Sequence, residues 1–179
     1  MLSVLGVDVG GTKIAVGPVD REGTQLAPPI TALTQTTDAD ALLAGLGSTI
    51  RRALSEFERF APGAVGLACA GTVDGVRGEV ILSPHLPLRD APLAAMLQVE
   101  VGIPVVVEND GNAAVLGEVV AGAAAGLHNV VMLTLGTGVG SGLFLDGKLY
   151  RGANGAAGEI GHLVVQAGGL VCRCGNRGC

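Results

Sequence analysis

Two copies of one local pattern constrain the fold of this chain more than any other feature. The first copy has an apolar run at residues 2–9, a pair of glycines and a second apolar run at residues 14–19. The second copy has an apolar run at residues 129–135, a glycine-rich turn and another strand-like run that extends through Leu145. Strand, glycine turn and strand form a hairpin, unlike the strand, loop and helix of a nucleotide P-loop. The chain is therefore expected to contain two glycine-turn hairpins.

Between the hairpins, helical and strand-like segments alternate, which favours an α/β fold. Apolar residues recur at helical spacing from Asp38 to Phe60, which predicts the longest helix. The other predicted elements are a strand at Gln25–Thr34, strands at 64–70, 79–82 and 104–108, a helix at 92–101 and a helix through Gly122. The repeat suggests two related α/β domains around a cleft, with residues 1–112 in the first and residues 113–179 in the second.

A cluster of metal-binding residue types lies at the end of the chain. His162, Cys172, Cys174 and Cys179 fall within eighteen residues, with glycines between them that allow tight turns. Three thiolates and one imidazole are a common tetrahedral zinc set. The alternative is a disulfide, but Cys172 and Cys174 are poorly spaced for bridging each other. The sequence therefore predicts structural zinc. The printed sequence also stops on Cys179, which favours a fragment with an incomplete second domain.

Polar residues follow the strand predicted at residues 104–108. Asn109, Asp110 and Asn112 stand at its carboxyl end and lead into a helix. Ligands of open α/β sheets gather at the carboxyl ends of strands. Asp110 could be a helix N-cap or a functional carboxylate, and Asn109 could equally take the cap.

The glycine turns also admit two interpretations. Gly10 and Gly11 could form only a tight turn, or their N–H groups could bind phosphate, with Thr12 adding a hydroxyl and Asp8 facing magnesium. Two other nucleotide motifs are rejected. The turn after residue 135 lacks the third glycine of the dinucleotide pattern, and residues 142–149 lack the Ser or Thr of a Walker A loop.

Composition excludes several other classes of protein. A net charge of −5, with 11 basic residues and 2% aromatic content, argues against a nucleic-acid surface and against base-stacking platforms. Every apolar run is interrupted before it could span a bilayer, and the first residues lack the charged and apolar regions of a signal peptide. We therefore expect no membrane partner and a cytoplasmic location.

Four motifs together resemble the ROK family, which comprises repressors, open reading frames and sugar kinases. They are Asp8-x-Gly-Gly-Thr-Lys13, Asn109-Asp110, Leu135-Gly-Thr-Gly-Val-Gly140, and Glu159-x-Gly-His162 followed by Cys172-x-Cys174-Gly-x-x-Gly-Cys179. The resemblance covers almost the whole chain. It implies an actin-like (ribonuclease H-like) ATPase fold with two α/β domains around a cleft.

The resemblance also implies an activity, namely ATP-dependent phosphorylation of a hexose, with glucose as the expected substrate and an N-acetylhexosamine as the alternative. Asp110 would be the catalytic base. The implied sugar-binding residues are Gly71, Thr72, Asn109, Asp110, Glu159 and His162. The implied ATP and Mg²⁺ site comprises Asp8, Gly10, Gly11, Thr12, Lys13, Gly136, Thr137, Gly138 and Gly140. His162 would serve both zinc and sugar.

Two points remain open within the resemblance. His85 stands where the family usually has Asn at the sugar pocket, so the choice of hexose is open. A sugar-responsive regulator of the same family would need a DNA-binding segment before Asp8, for which this sequence leaves no room, and a non-catalytic sugar sensor is expected to lack the base. The oligomeric state is open, with a homodimer as one arrangement.

Overall fold

The structure is a computed structural model that describes residues 3–136, 138–172 and 174–179. In chain order its elements are β1 (Ser3–Val9), β2 (Lys13–Asp20), β3 (Ile30–Leu33), α1 (Ala39–Glu56), a 3-10 turn (Glu58–Phe60), β4 (Pro62–Cys69), β5 (Thr72–Asp74), β6 (Glu79–Leu82), β7 (Arg89–Ala91), α2 (Leu93–Val101), β8 (Val105–Asn109), α3 (Asp110–Ala121), β9 (Val130–Leu135), β10 (Val139–Leu145), β11 (Lys148–Leu149) and a second 3-10 turn (Ile160–His162).

A five-stranded mixed sheet forms the centre of residues 3–109. Its strand order is β3-β2-β1-β4-β8, in which β1, β4 and β8 are parallel and β2 and β3 are antiparallel to their neighbours. In register, Val9 pairs with Cys69, and Cys69 pairs with Asn109. The carboxyl ends of the three parallel strands therefore meet at one edge of the sheet, where ligands of such sheets commonly bind.

The hydrophobic core lies on one face of this sheet. Leu5, Val7 and Val9 alternate with more exposed residues along β1, as expected for a strand with one buried face. Helix α1 buries Leu42 and Leu46, together with further residues at helical spacing, against that face. Helix α1 begins at the N-cap Asp38, whose carboxylate accepts a hydrogen bond from the amide of Ala41 at 2.8 Å.

Two predicted elements are shorter than the sequence indicated. Helix α1 ends at Glu56, and only a separate 3-10 turn follows before Ala61 adopts a left-handed conformation with φ of 48°. The strand predicted from Gln25 is paired only from Ile30, because Pro28 and Pro29 have no N–H to donate to a neighbouring strand. Gln25 keeps an isolated bridge to Val19.

Two smaller sheets complete the fold. One has the order β5-β6-β7, and the other has the order β11-β10-β9 with every pair antiparallel. Helix α3 packs against β9 and β10, and it follows directly from β8 of the central sheet. Both glycine-turn hairpins are confirmed as β1–β2 and β9–β10. The domain limits at residues 112 and 113 stay a prediction. No helix among the described residues is long and apolar enough to cross a membrane.

Candidate active site

The loops after β1, β4 and β8 lie side by side at one edge of the central sheet. The side-chain amide of Asn109 donates a hydrogen bond to the carbonyl of Gly71 at 2.9 Å and so links the ends of β8 and β4. Gly71 has a φ of 128°, and a Cβ there would collide with the backbone of Leu82. Glycine is thus required at position 71, because other residues rarely adopt this backbone conformation and a side chain would not fit. Its neighbour Thr72 begins β5.

The N-cap of α3 is Asn109. Its side-chain oxygen accepts a hydrogen bond from the amide of Asn112 at 3.0 Å. Asp110 is therefore not needed as the cap. Its Oδ1 accepts hydrogen bonds from the Asn109 side chain at 3.0 Å and from the Gly111 amide at 2.9 Å. In the part of the chain that the structure describes, Oδ2 receives no hydrogen bond, and the side chain is exposed. The carboxylate can accept a proton from a ligand.

Asp8 lies close enough to Asp110 for their charges to interact. Its side chain is still reached by solvent, but surrounding protein displaces part of its water. This desolvation raises the pKa of Asp8, the negative Asp110 raises it further, and Lys13 lowers it. Burial, with a smaller effect of Asp110, raises the pKa of the Cys69 thiol to about 12. Among the described residues, the edge of the sheet thus holds two neighbouring acidic groups with Lys13 as the cation that acts on Asp8, which suits a divalent cation.

The first glycine turn is held by backbone hydrogen bonds. The amide of Gly10 donates to the carbonyl of Lys13 at 3.0 Å, and the hydroxyl of Thr34 donates to the carbonyl of Gly10 at 2.7 Å. Gly11 and Thr12 are exposed, as a phosphate-binding turn requires. A Cβ on Gly11 would lie 3.7 Å from the Cβ of His85, so His85 stands beside this turn.

The segment that carries Glu159 and His162 packs against the start of α3 through Ser141 of β10. Gly111 approaches the carbonyl of Ser141 so closely that a Cβ there would collide with it. On the other side, the Ser141 hydroxyl accepts a hydrogen bond from the Ile160 amide at 3.4 Å. The Nε2 of His162 lies 3.6 Å from a carboxylate oxygen of Glu159. The structure thus brings Glu159 and His162 to the same region as Asp110.

The second glycine turn joins β9 to β10. The Gly136 amide donates to the Gly138 carbonyl at 3.0 Å, and Gly140 packs against the side chain of Thr134. Thr137 lies outside the described residues. No hydrogen bond among the described residues joins this turn to the first glycine turn, so a shared phosphate site stays a prediction.

The four residues predicted to bind zinc converge. The ligand atoms of His162, Cys172, Cys174 and Cys179 all lie within 4.8 Å of one another. The sulfurs of Cys174 and Cys179 are 3.6 Å apart, far beyond the bond length of about 2.05 Å in a disulfide. Tetrahedral zinc with Zn–S bonds of about 2.3 Å places its sulfurs about 3.8 Å apart. The donor set and its spacing therefore fit zinc.

The grouping of these thiols also shows in their acidity. Hydrogen bonding to Cys172, then burial and the contact with Cys174, raises the pKa of the Cys179 thiol to about 11. A bound cation acts in the opposite direction because thiols ligate zinc as thiolates. Because Glu159 contacts His162, an ion that fixes His162 would also help to fix the position of Glu159.

Sequence reasoning missed an ion pair next to the site. Glu108 in β8 is 9% exposed, and its carboxylate accepts hydrogen bonds from Arg151 beyond β11. The signal was present in the sequence. A charged residue that ends the apolar run Val105–Val107 needs a partner if it is buried, because buried charges are rarely left unpaired. The partner could not be read from the sequence because it lies 43 residues away.

Comparison with known proteins defines the class of the fold. The chain superimposes on a ROK family glucokinase from Streptomyces griseus, solved in complex with glucose and AMPPNP, with a TM-score of 0.89 and 42% identity over 99% of this chain and 55% of the other. The fold is therefore the actin-like ATPase fold of these sugar kinases. The sequence pattern of the ROK family matches residues 4–179. The chain belongs to the ROK family.

Relatives within the family differ in function. The glucokinase of Streptomyces coelicolor is 42% identical over 175 residues, covering 98% of this chain and 54% of the relative. The xylose repressor of Caldicellulosiruptor bescii is 31% identical over 179 residues, covering 99% of this chain and 45% of the repressor. The chain thus spans about half the length of the curated relatives it matches, and these relatives include both kinases and repressors.

Proposed function

We propose that this chain carries the sugar-binding and phosphoryl-transfer half of an ATP-dependent hexose kinase that converts glucose to glucose 6-phosphate. The observation that carries the proposal is that the Asp110 carboxylate is accessible and is not needed as a helix cap. Its carboxylate is exposed at the end of a parallel strand, and the helix cap that could have explained it is supplied by Asn109. The glucokinases among the matched relatives point to the same reaction.

Asp110 would act as the general base. The sugar hydroxyl attacks the γ-phosphorus of ATP, its proton passes to the free oxygen of Asp110, and ADP leaves. Phosphoryl transfer needs little beyond this base, loops that hold the phosphates and a magnesium ion. Asp8 would face that ion, and the exposed Gly11 and Thr12 of the first glycine turn would offer backbone N–H groups to phosphate, whereas the Gly10 amide is bonded to the Lys13 carbonyl.

Sugar binding would rest on the residues grouped around Asp110. Gly71, Asn109, Glu159 and His162 offer amide, carboxylate and imidazole groups for several hydroxyls, and such hydrogen bonds give sharp discrimination between sugars. The zinc site would hold His162 in place. Reduced thiols of this kind fit a reducing compartment, which supports a cytoplasmic location.

A panel of sugars tests the proposal. Full-length protein is assayed for ATP turnover with glucose, N-acetylglucosamine, N-acetylmannosamine and xylose, and sugar binding is measured separately by calorimetry. We expect ATP turnover with glucose at the highest kcat/KM. Preferred turnover of an N-acetylhexosamine would replace glucose by the alternative substrate. Sugar binding without ATP turnover would contradict the kinase and favour a regulator like the xylose repressor.

A further inference from the structure

We propose that the ion pair between Glu108 and Arg151 is a positioning device. It would hold the candidate base Asp110 at a fixed distance from the segment that brings Glu159 and His162 to the sugar. This inference rests on the proposed kinase function, because it assigns a task within that reaction. Neither Glu108 nor Arg151 is expected to touch the substrate.

The carboxylate of Glu108 joins two separate parts of the chain. Its Oε1 accepts hydrogen bonds from the backbone N–H of Asn109 and from the side-chain amide of Asn112, both at 3.0 Å. Its Oε2 accepts a hydrogen bond from Nε of Arg151 at 2.7 Å and lies 2.6 Å from Nη2 of the same guanidinium. One oxygen therefore holds the turn that contains Asp110, and the other holds the segment after β11.

The pair is well shielded on the Glu108 side. The Glu108 side chain is 11% exposed and that of Arg151 is 36% exposed. Gly75 allows the two to meet, since a Cβ at this position would lie 2.7 Å from Oε2 of Glu108 and 3.1 Å from Nε of Arg151. Nε and Nη2 of Arg151 both approach the same oxygen of Glu108, so the planar guanidinium fixes geometry as well as charge. Removing Arg151 leaves the shielded Glu108 charge uncompensated.

Arg151 is tied in turn to the segment that leads to Glu159. The Arg151 carbonyl accepts a hydrogen bond from the Ala157 amide at 3.0 Å. Beyond it, Gly158 packs on Leu143 and Ser141 of β10. The path from Glu108 to Glu159 therefore runs through one loop of eight residues anchored at both ends. A shift of Arg151 would move Glu159 relative to Asp110.

A merely stabilising ion pair would behave differently from a positioning one. In the double variant Glu108→Gln with Arg151→Met, both charges are gone and no buried charge is left unpaired. Stability should then recover relative to Arg151→Met alone, which leaves the Glu108 carboxylate unpaired. Positioning should not recover, because the link between β8 and the loop is still broken. The contrast between stability and kcat in the double variant separates the two roles.

The experiment uses the full-length protein with glucose and ATP. We expect Glu108→Gln to lower both the thermal midpoint and kcat, the latter by about 10- to 100-fold, since a small misplacement of reacting groups can cost about that much. The double variant should be more stable than Arg151→Met alone while its kcat stays low. Arg151→Lys keeps the charge but replaces the two guanidinium nitrogens that meet Oε2 of Glu108 by one ammonium, so it should fold normally with reduced kcat.

The matched control is Arg77→Gln. Arg77 lines the same cavity of about 730 Å³ as Arg151, but its own ion pairs are with Asp74 and Glu79 and its side chain is 65% exposed. It should keep wild-type kcat. The inference is overturned if the double variant regains kcat together with stability, or if Arg151→Lys keeps wild-type kcat.

Hydrogen exchange keeps this test separate from the proposed function. If the wild-type protein phosphorylates no sugar, the kinase proposal fails, and the positioning claim is decided by amide exchange alone. Faster exchange at Gly111 and Ala157 by about tenfold or more in Glu108→Gln and in the double variant, with α1 unchanged, supports it. Unchanged exchange at both amides overturns it.

Discussion

Asp110 is the residue for which a structural and a catalytic role can be separated by one substitution. Asp110→Asn keeps the oxygen that accepts from Gly111 but removes the basic carboxylate. We expect kcat to fall by about 10²- to 10⁴-fold, the usual contribution of a positioned acid–base group. Folding should be unaffected because Asn109 supplies the cap. Steady-state kinetics and calorimetric glucose binding check this, and a variant with most of its kcat would rule Asp110 out as the base.

Asp8 offers a second test at the same scale. Its raised pKa means that the folded state binds the Asp8 proton more tightly than the unfolded chain does. The free energy of unfolding therefore falls as pH rises from the ordinary pKa of 3.8 through the higher pKa of Asp8 in the folded state. At neutral pH the charged Asp8 side chain destabilises the fold. Asp8→Asn should raise the thermal midpoint at pH 7 and leave it unchanged at about pH 3.

Asp8→Asn is also expected to reduce catalytic activity. The variant should lose sugar phosphorylation, because the proposed contact of Asp8 with the magnesium ion of ATP requires a carboxylate. Differential scanning calorimetry at the two pH values and a coupled kinase assay give the two readouts. A lower midpoint than wild type at pH 7 would show that the Asp8 charge stabilises the ligand-free fold after all.

Among the elements, two helix caps of the same kind make a matched pair. Asp38 caps α1 away from the site, and Asn109 caps α3 within it. Either residue changed to Ala should lower the free energy of unfolding by about 1 kcal/mol, the usual cost of losing a cap. Only Asn109→Ala should also lower kcat, because its side-chain amide holds the carbonyl of Gly71.

Asn109→Asp refines that comparison. Aspartate keeps the capping oxygen but loses the amide that donates to Gly71 and to Oδ1 of Asp110, and its second carboxylate oxygen would face both of these oxygens. Stability should therefore return only in part while kcat stays low. Denaturant unfolding and steady-state kinetics measure the two effects. Equal losses of kcat in Asp38→Ala and Asn109→Ala would mean that general stability, rather than the link to Gly71, explains the loss.

At the scale of the whole molecule, the expected metal can be removed. Protein purified without added metal should contain one zinc per chain, held by His162, Cys172, Cys174 and Cys179. Binding of a structural ion contributes directly to folding free energy, so chelation should loosen residues 158–179 and weaken sugar binding through His162. Elemental analysis and glucose titrations before and after chelation check this. Metal-free protein with paired cysteines would contradict it.

The second sheet presents an apolar face. Val131, Leu133 and Leu135 alternate along β9, so they share one face, and they are 59%, 51% and 80% exposed. Contiguous exposed apolar surface of this kind marks a contact surface. The 179-residue chain on its own should therefore bind the dye ANS and dissolve poorly, and should phosphorylate little or no glucose. Robust phosphorylation by this chain alone would contradict the prediction.

The sequence alone determined the local features of this protein. Glycine turns between apolar runs produced both hairpins, and helical spacing placed α1 to within a few residues of its end. The thiols and imidazole that converge in the structure were recognisable from residue type and spacing. Such features follow from turn chemistry and hydrophobic periodicity, which act over a few residues and are therefore legible in a single sequence.

Tertiary structure decided which side chains these elements bring together. Only the folded chain assigns the cap to Asn109 and leaves Asp110 available, since both residues can cap a helix. Only the fold pairs Glu108 with Arg151 and places Ser141 between Gly111 and Ile160. The physical reason is that these contacts join residues far apart in the chain, so their partners depend on strand order and close packing rather than on any local pattern.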